Sequence, residues 1–224
     1  PDGGLVEYGY DSMGNMTLKR DPNLRARGED IHFIYDNFNR LARVNYPRMT
    51  DTVYKYGDPG ASGNGAGRLI SVTGESGVTS YTYGKLGETV GLSRTLHRLT
   101  SLAEDKTASF TYLYDYLGRM EEIIYPDGEQ VTYGYNRGGL VSSVTSSHNN
   151  LVTSYIEEIG YDEYSQRIYM RRGDGTETSY TYDENRRWLS NIHTANQFGT
   201  VYQDIDYRFD AVGNVLSYVN SSDK

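Results

Sequence analysis

Four histidines, one pair of aspartates two residues apart and one run of glycines are the residues through which this chain could do chemistry. His32, His97, His148 and His193 lie 65, 51 and 45 residues apart. None falls at the close spacing by which neighbouring side chains share a metal ion, so solvated or packed histidine is the simpler reading than a metal or general-base role. Asp204 with Asp206, or Glu121 with Glu122, would serve as paired carboxylates of the glycosidase kind; exposed charges on a strand or turn are the much simpler explanation. Gly63-Asn64-Gly65-Ala66-Gly67 has the glycines of a phosphate loop but lacks the following Lys-Ser/Thr and the helix that presents N–H groups, so it reads as a flexible loop. Gly74-Glu75-Ser76-Gly77 is a turn rather than a nucleophile elbow. Asp174-Gly175 with Glu177 is too short for a calcium loop. The residues therefore predict a non-enzymatic protein with no metal and no cofactor.

Tyrosine is the exception to this sparseness, with 23 in 224 residues. Tyrosines repeated at fixed intervals could stack on sugar rings, or they could pack across strands. Their order decides which elements must position them. The unit is an aromatic, one residue, a second aromatic and a polar turn. The first slot holds Tyr8, Phe33, Tyr54, Tyr81, Tyr112, Tyr133, Tyr180 and Tyr207. The second holds Tyr10, Tyr35, Tyr56, Tyr83, Tyr114, Tyr135, Tyr161, Tyr182 and Phe209, separated by 25, 21, 27, 31, 21, 26, 21 and 27 residues. Asp11, Asp36, Asp115, Asn136, Asp162, Asp183 or Asp210 follows, and Gly14, Gly87, Gly118, Gly139 or Gly213 supplies the positive φ of the turn tip. Asn39, Ser165 and Arg186 stand where other copies have that glycine. Arg40 and Arg119 close two of the turns.

The aromatic segment alternates with period two, so it reads as a strand. A return strand begins at Met16, Leu41, Leu69, Met120, Val141, Trp188 or Val215. Its apolar residues then recur three and five positions on, as in Met120, Ile123 and Tyr125. Because that offset breaks parity, the return strand should contain a bulge or twist. Turns at Pro47, Asp127-Gly128 and Gly173-Asp174-Gly175 lead into the next unit. The sum is an antiparallel meander of about 16 to 18 strands, organised as a single repeat array over 1–224 of about nine units. Two stretches interrupt the rhythm. Residues 57–67 lengthen the third turn, and 90–106, with Leu92, Leu96, Leu99 and Ala103, reads as an extended strand and long loop rather than a helix.

The unit aromatic-x-Tyr-Asp-x-x-Gly-Arg-Leu, fullest at Tyr112 to Met120 and close at Phe33 to Leu41, Tyr180 to Trp188 and Tyr207 to Val215, resembles the YD repeat of the Rhs family. That family includes bacterial Rhs polymorphic toxins, shell components of insecticidal toxin complexes, wall-associated proteins and teneurins. The resemblance implies an all-β fold in which hairpins form a continuous, curved, spiral sheet, part of a hollow shell. It further implies a structural role: the shell encloses or presents a C-terminal toxin, so the partners would be the rest of the shell and that cargo. The terminal self-cleavage region of toxin members has no counterpart here, since Asp58-Pro59-Gly60 lies inside an early loop.

A net charge of −8 with scattered basic residues excludes non-specific nucleic-acid binding. No apolar run approaches the 18 or so residues that span a bilayer, and without cysteine neither a disulfide nor a thiolate site staples the chain. Pro1 is not an initiator residue, and the chain reads as a piece of a longer array from a secreted or cell-surface protein, in the first instance bacterial. Two open sheet edges should favour self-association through edge strands. A carbohydrate or cell-surface binding module built on tyrosine platforms is the rival reading.

Overall fold

The computed structural model describes residues 4–97 and 104–222. The protein is all-β: among the described residues there are eighteen antiparallel strands in one open sheet and a single short helix. By contact it divides into two compact units, 1–112 and 113–224.

The first unit holds β1 (Glu7–Tyr10), β2 (Met16–Arg20), α1 (Pro22–Arg27), β3 (Ile31–Tyr35), β4 (Leu41–Asn45), β5 (Thr52–Tyr56), β6 (Leu69–Gly74), β7 (Gly77–Tyr83) and β8 (Thr89–Leu96). Most of β9 (Lys106–Tyr114) also belongs to it. The second unit holds β10 (Met120–Ile124), β11 (Gln130–Tyr135), β12 (Val141–His148), β13 (Leu151–Tyr161), β14 (Arg167–Arg172), β15 (Glu177–Tyr182), β16 (Leu189–Ala195), β17 (Val201–Phe209) and β18 (Val215–Asn220). Within each unit every strand pairs with its successor, which is a plain meander. The strand reading of the second irregular stretch holds over Thr89–Leu96; Leu99 and Ala103 lie outside the described residues.

The bulge has a definite place. Gly9 faces Leu18 but Tyr10 faces Met16, so Thr17 is the extra residue, opposite no partner of its own. The same slip recurs before Tyr35, Tyr56, Tyr83, Tyr135, Tyr161, Tyr182 and Phe209. One additional residue in the second position of each return strand flips the side chains beyond it, which accounts for apolar residues at offsets of three and five.

Two expectations are corrected at the eighth turn. It is one residue longer than the regular turn: Asp183 N–H donates to the Trp188 carbonyl, whereas Asp115 N–H donates to Arg119. Arg187, not Arg186, therefore takes the left-handed conformation (φ 59°), and Leu189, not Trp188, begins the return strand opposite Tyr182. Trp188 instead lies on Phe209, with ring centroids 5.3 Å apart. The helix α1 was not anticipated, although its signals are in the sequence. Asp21 caps Leu24 N–H, Pro22 occupies the first turn and Gly28 ends the helix at φ 67°.

Burial is thin. Among the described residues only Leu24, Val44, Val131, Val144, Ile159 and Met170 are buried apolar side chains. Ile159 fills the first aromatic slot of the seventh repeat. A chain of this length with so little core does not hold itself together as two packed layers do; cohesion must come from contacts along the sheet.

Candidate functional site

Those contacts form a repeated rung. The hydroxyl of the second-slot tyrosine crosses to the preceding repeat and donates to the carbonyl of the residue that starts its return strand. In the first unit Tyr35 donates to Met16 (3.1 Å), Tyr56 to Leu41 (3.1 Å) and Tyr83 to Leu69 (2.5 Å). In the second unit Tyr135 donates to Met120 (2.5 Å), Tyr161 to Val141 (2.8 Å) and Tyr182 to Arg167 (2.9 Å). The acceptor carbonyl always sits next to the bulge, where the ladder is disrupted and a backbone acceptor needs a partner. Tyrosine suits this position because its ring covers apolar surface while its hydroxyl reaches a polar group at the far end. Phe209 occupies the slot without a hydroxyl. Tyr10 is 62% exposed, whereas each tyrosine that makes a rung is at least half-buried.

The turn aspartates anchor the same ladder. One carboxylate oxygen of Asp36 accepts the N–H groups of Phe38 and Arg40, and the other accepts the Arg40 guanidinium. That guanidinium then lies 4.0 Å from the ring centroid of Tyr56 in the next repeat. Asp115, Arg119 and Tyr135 repeat the arrangement, with 4.3 Å from cation to ring. Aspartate, arginine and the following tyrosine thus form one unit: the acid folds the turn and aims the cation, and the cation caps the next rung. Asp11, Asp162 and Asp210 accept the same pair of backbone N–H groups, while Asp183 accepts those of Asn185 and Arg186 and Asn136 that of Leu140. Hydrogen bonds from Arg40 hold Asp36 below the usual carboxylate range, as does the backbone N–H of Arg119 for Asp115. The side-chain amides of Asn15 and Asn214 do so for Asp11 and Asp210.

Gly14, Gly87, Gly118, Gly139 and Gly213 all have positive φ, between 75° and 93°. Asn39 and Ser165 adopt the same conformation at φ 63°, which a side chain tolerates at a cost. The fourth turn has no acid after Tyr83, and its solution was not visible beforehand. Glu88, at the other end of the turn, sends its carboxylate back to Leu86 N–H and fills the space that a side chain at Gly84 would occupy. The first-slot residues Tyr8, Phe33, Tyr54, Tyr81, Tyr112, Tyr133, Tyr180 and Tyr207 all lie on aromatic strands; Arg167 caps the ring of Tyr180 at 4.8 Å.

The residues examined for catalysis are not assembled. Asp204 and Asp206 both accept from the side-chain amide of Asn191, at 3.1 and 2.9 Å. That bond, with His193 nearby, lowers the Asp204 pKa, the opposite of what a general acid needs. His97 pairs with Asp105, and among the described residues no cluster of three metal-ligating side chains exists. A further cluster, unsuspected from sequence because its members lie far apart, joins Glu129 to the hydroxyls of buried Ser146 and of Tyr155. Hydrogen bonds from Ser146 and Tyr155 hold the Glu129 carboxyl below the usual carboxylate range.

No protein-family profile matches the chain. Over 74 residues it is 34% identical to toxin subunit YenC2 of Yersinia entomophaga, and over 91 residues 30% identical to YenC1. These stretches are 31% and 38% of this chain but only 8% and 9% of those subunits. Among solved structures, TcdB2–TccC3 superposes on 98% of the chain, and this chain covers 12% of it, with a TM-score of 0.80 at 20% identity. A Photorhabdus luminescens Tc holotoxin pore superposes on 97% of the chain, 14% of its own, with a TM-score of 0.67 at 16% identity. In fold this chain is therefore like those toxin-complex structures, and part of its sequence is similar to toxin subunits, in keeping with the resemblance of its motif to the YD repeat of the Rhs family.

Proposed function

We propose that the chain is a non-enzymatic wall segment of a YD-repeat shell, which in a larger secreted bacterial protein encloses or presents a toxin or other cargo. The single array over 1–224 is the unit of that wall, and the motif residues hold one hairpin to the next. The observation that carries this reading is the rung: the most regular chemistry in the molecule is spent on joining neighbouring repeats, and the open hollows it lines, beside Asp115, Arg119 and Tyr135 and beside Arg40 and Tyr56, hold groups already paired in a turn or a rung. The similarity to toxin subunits supports the same reading. A protein built in this way presents surface and excludes solvent rather than turning over substrate. The remaining partners are then the rest of the shell and what it contains. No observation favours the glycan-platform reading, and six of the second-slot tyrosines commit their hydroxyls to backbone carbonyls. A chimera tests the proposal. Replacing the matching stretch of YenC2 with this chain should leave a soluble, protease-resistant subunit; degradation under conditions that unmodified YenC2 withstands would overturn it.

A further inference from the structure

Residues 57–67 interrupt the array, and their glycines made them read as flexible. In the structure they are fastened. Gly57 N–H donates to the Arg68 carbonyl at 2.9 Å, and Gly67 N–H donates to the Gly57 carbonyl at 2.8 Å. Tyr83 N–H donates to the Gly63 carbonyl, and the side-chain amide of Asn64 donates to the Tyr83 carbonyl, both at 2.9 Å. Gly57 and Gly65 are buried where the two limbs of the loop meet: a side chain at Gly57 would collide with the Gly65 carbonyl, and one at Gly65 with Ile70. A long loop held this firmly on a regular scaffold is where binding residues are commonly carried.

The loop covers a hollow of about 390 Å³. Phe38, Arg40 and Tyr56 line it from the array, and Asp58, Pro59 and Ala66 line it from the loop, so most of its surface is carbon. The array's polar groups are already spent. The Arg40 guanidinium is paired with Asp36 at 2.6 Å and donates to the Gly67 carbonyl at 2.9 Å, and the Tyr56 hydroxyl makes its rung. Two lining groups remain available. Phe38 is 80% exposed, and the exposed carboxylate of Asp58 pairs with no cation among the described residues. The hollow beside Arg119 and Tyr135 occupies the same place in the second unit but has no such cover, because the turn from Asn136 to Leu140 closes at the ordinary length. The insertion therefore turns a plain junction between repeats into an apolar cup with one uncompensated negative charge.

We propose that this cup binds a small arylalkylammonium ion, with its ring against Phe38 and Pro59 and its ammonium beside Asp58. A cavity of this volume with apolar walls and a single available charge has the character of a small-molecule site. Its lining comes from one turn and one loop, which suits a ring with a short arm better than a length of peptide. The net charge of −8 also favours a cation. The proposal goes beyond the wall reading, because it concerns a ligand of one inserted loop and holds whatever the sheet encloses.

Titration of the chain with phenethylamine, followed by backbone amide chemical shifts in NMR, tests it. Saturable shifts are expected at Phe38 and within 57–67, with a Kd on the order of 1 mM. The turn from Asp115 to Arg119 serves as the internal control and should not respond. Phenylacetate, which keeps the ring and reverses the charge, should leave the loop unshifted. Phe38→Ala should weaken binding roughly three- to tenfold by loss of stacking, and Asp58→Asn about two- to fivefold by loss of an exposed ion pair. Both side chains are exposed, so neither substitution opens the core. No saturable shift at ~10 mM phenethylamine, an equal response to phenylacetate or at the control turn, or unweakened binding by Phe38→Ala would each overturn the proposal. So would binding of a blocked Gly-Phe-Lys-Gly peptide in place of the free amine, which would assign the cup to a protein partner.

Discussion

Tyr135 offers the sharpest test of the rung. Its hydroxyl donates to the Met120 carbonyl at 2.5 Å, and its ring lies 4.3 Å beneath the Arg119 guanidinium. Tyr135→Phe keeps the ring and the cation but removes the hydrogen bond, a loss of about 1 kcal/mol. Tyr135→Ala removes the ring as well. A tyrosine ring buries about 200 Å² when enclosed, and Tyr135 is part-buried, so roughly half that area at ~25 cal/mol per Å² adds about 2.5 kcal/mol. The cation over the ring adds ~0.5 to 1 kcal/mol. The alanine variant should thus lose about 4 kcal/mol in all by these three contributions. Units of an array interact mainly with their neighbours, so the loss must be local. Hydrogen exchange followed by mass spectrometry reads it directly. Amides of β10 to β12 should exchange about fivefold faster in Tyr135→Phe, the equivalent of ~1 kcal/mol, while those of β3 to β5 remain as in the wild type. Unchanged exchange in β10 to β12 would refute the stitching role of the hydroxyl, and uniform acceleration along the chain would refute its locality.

Phe209→Tyr should gain ~0.5 to 1 kcal/mol by adding the missing hydroxyl opposite the start of β16, seen as a higher midpoint in urea unfolding. Ser165→Gly should raise stability by up to ~1 kcal/mol in the same assay, because Ser165 holds φ 63°. Glu88→Ala should speed exchange at the β7–β8 turn, and Gly84→Asp added to it should restore protection by returning the acid to its usual end of the turn. Acid should loosen the turns: Asp11, Asp36, Asp115 and Asp210 have lowered folded pKa values, so their contribution is present above the unfolded carboxylate range and disappears as pH falls through the folded values. Thermal unfolding followed from pH 7 downward should show stability falling below about pH 4. Asp36→Asn and Asp115→Asn should flatten that dependence.

The sequence alone determined the strand order. A period-two aromatic strand, a polar turn with a residue at positive φ and a return strand are local matters, set by side-chain alternation and by which residues tolerate a left-handed backbone. Even the bulge was implied, since apolar residues at offsets of three and five cannot share a face of a regular strand. The eighth turn misled because one inserted residue moves every later slot, and Arg186-Arg187-Trp188 contains no glycine to mark the tip. What only the tertiary structure decided was the use of the side chains. That a tyrosine hydroxyl closes on a carbonyl 14 to 20 residues earlier, that an arginine caps the next repeat's ring, and that Glu88 replaces an absent aspartate all depend on which backbone groups the bulge leaves open. Local preference determines hairpins; the joint between hairpins exists only once two of them lie side by side.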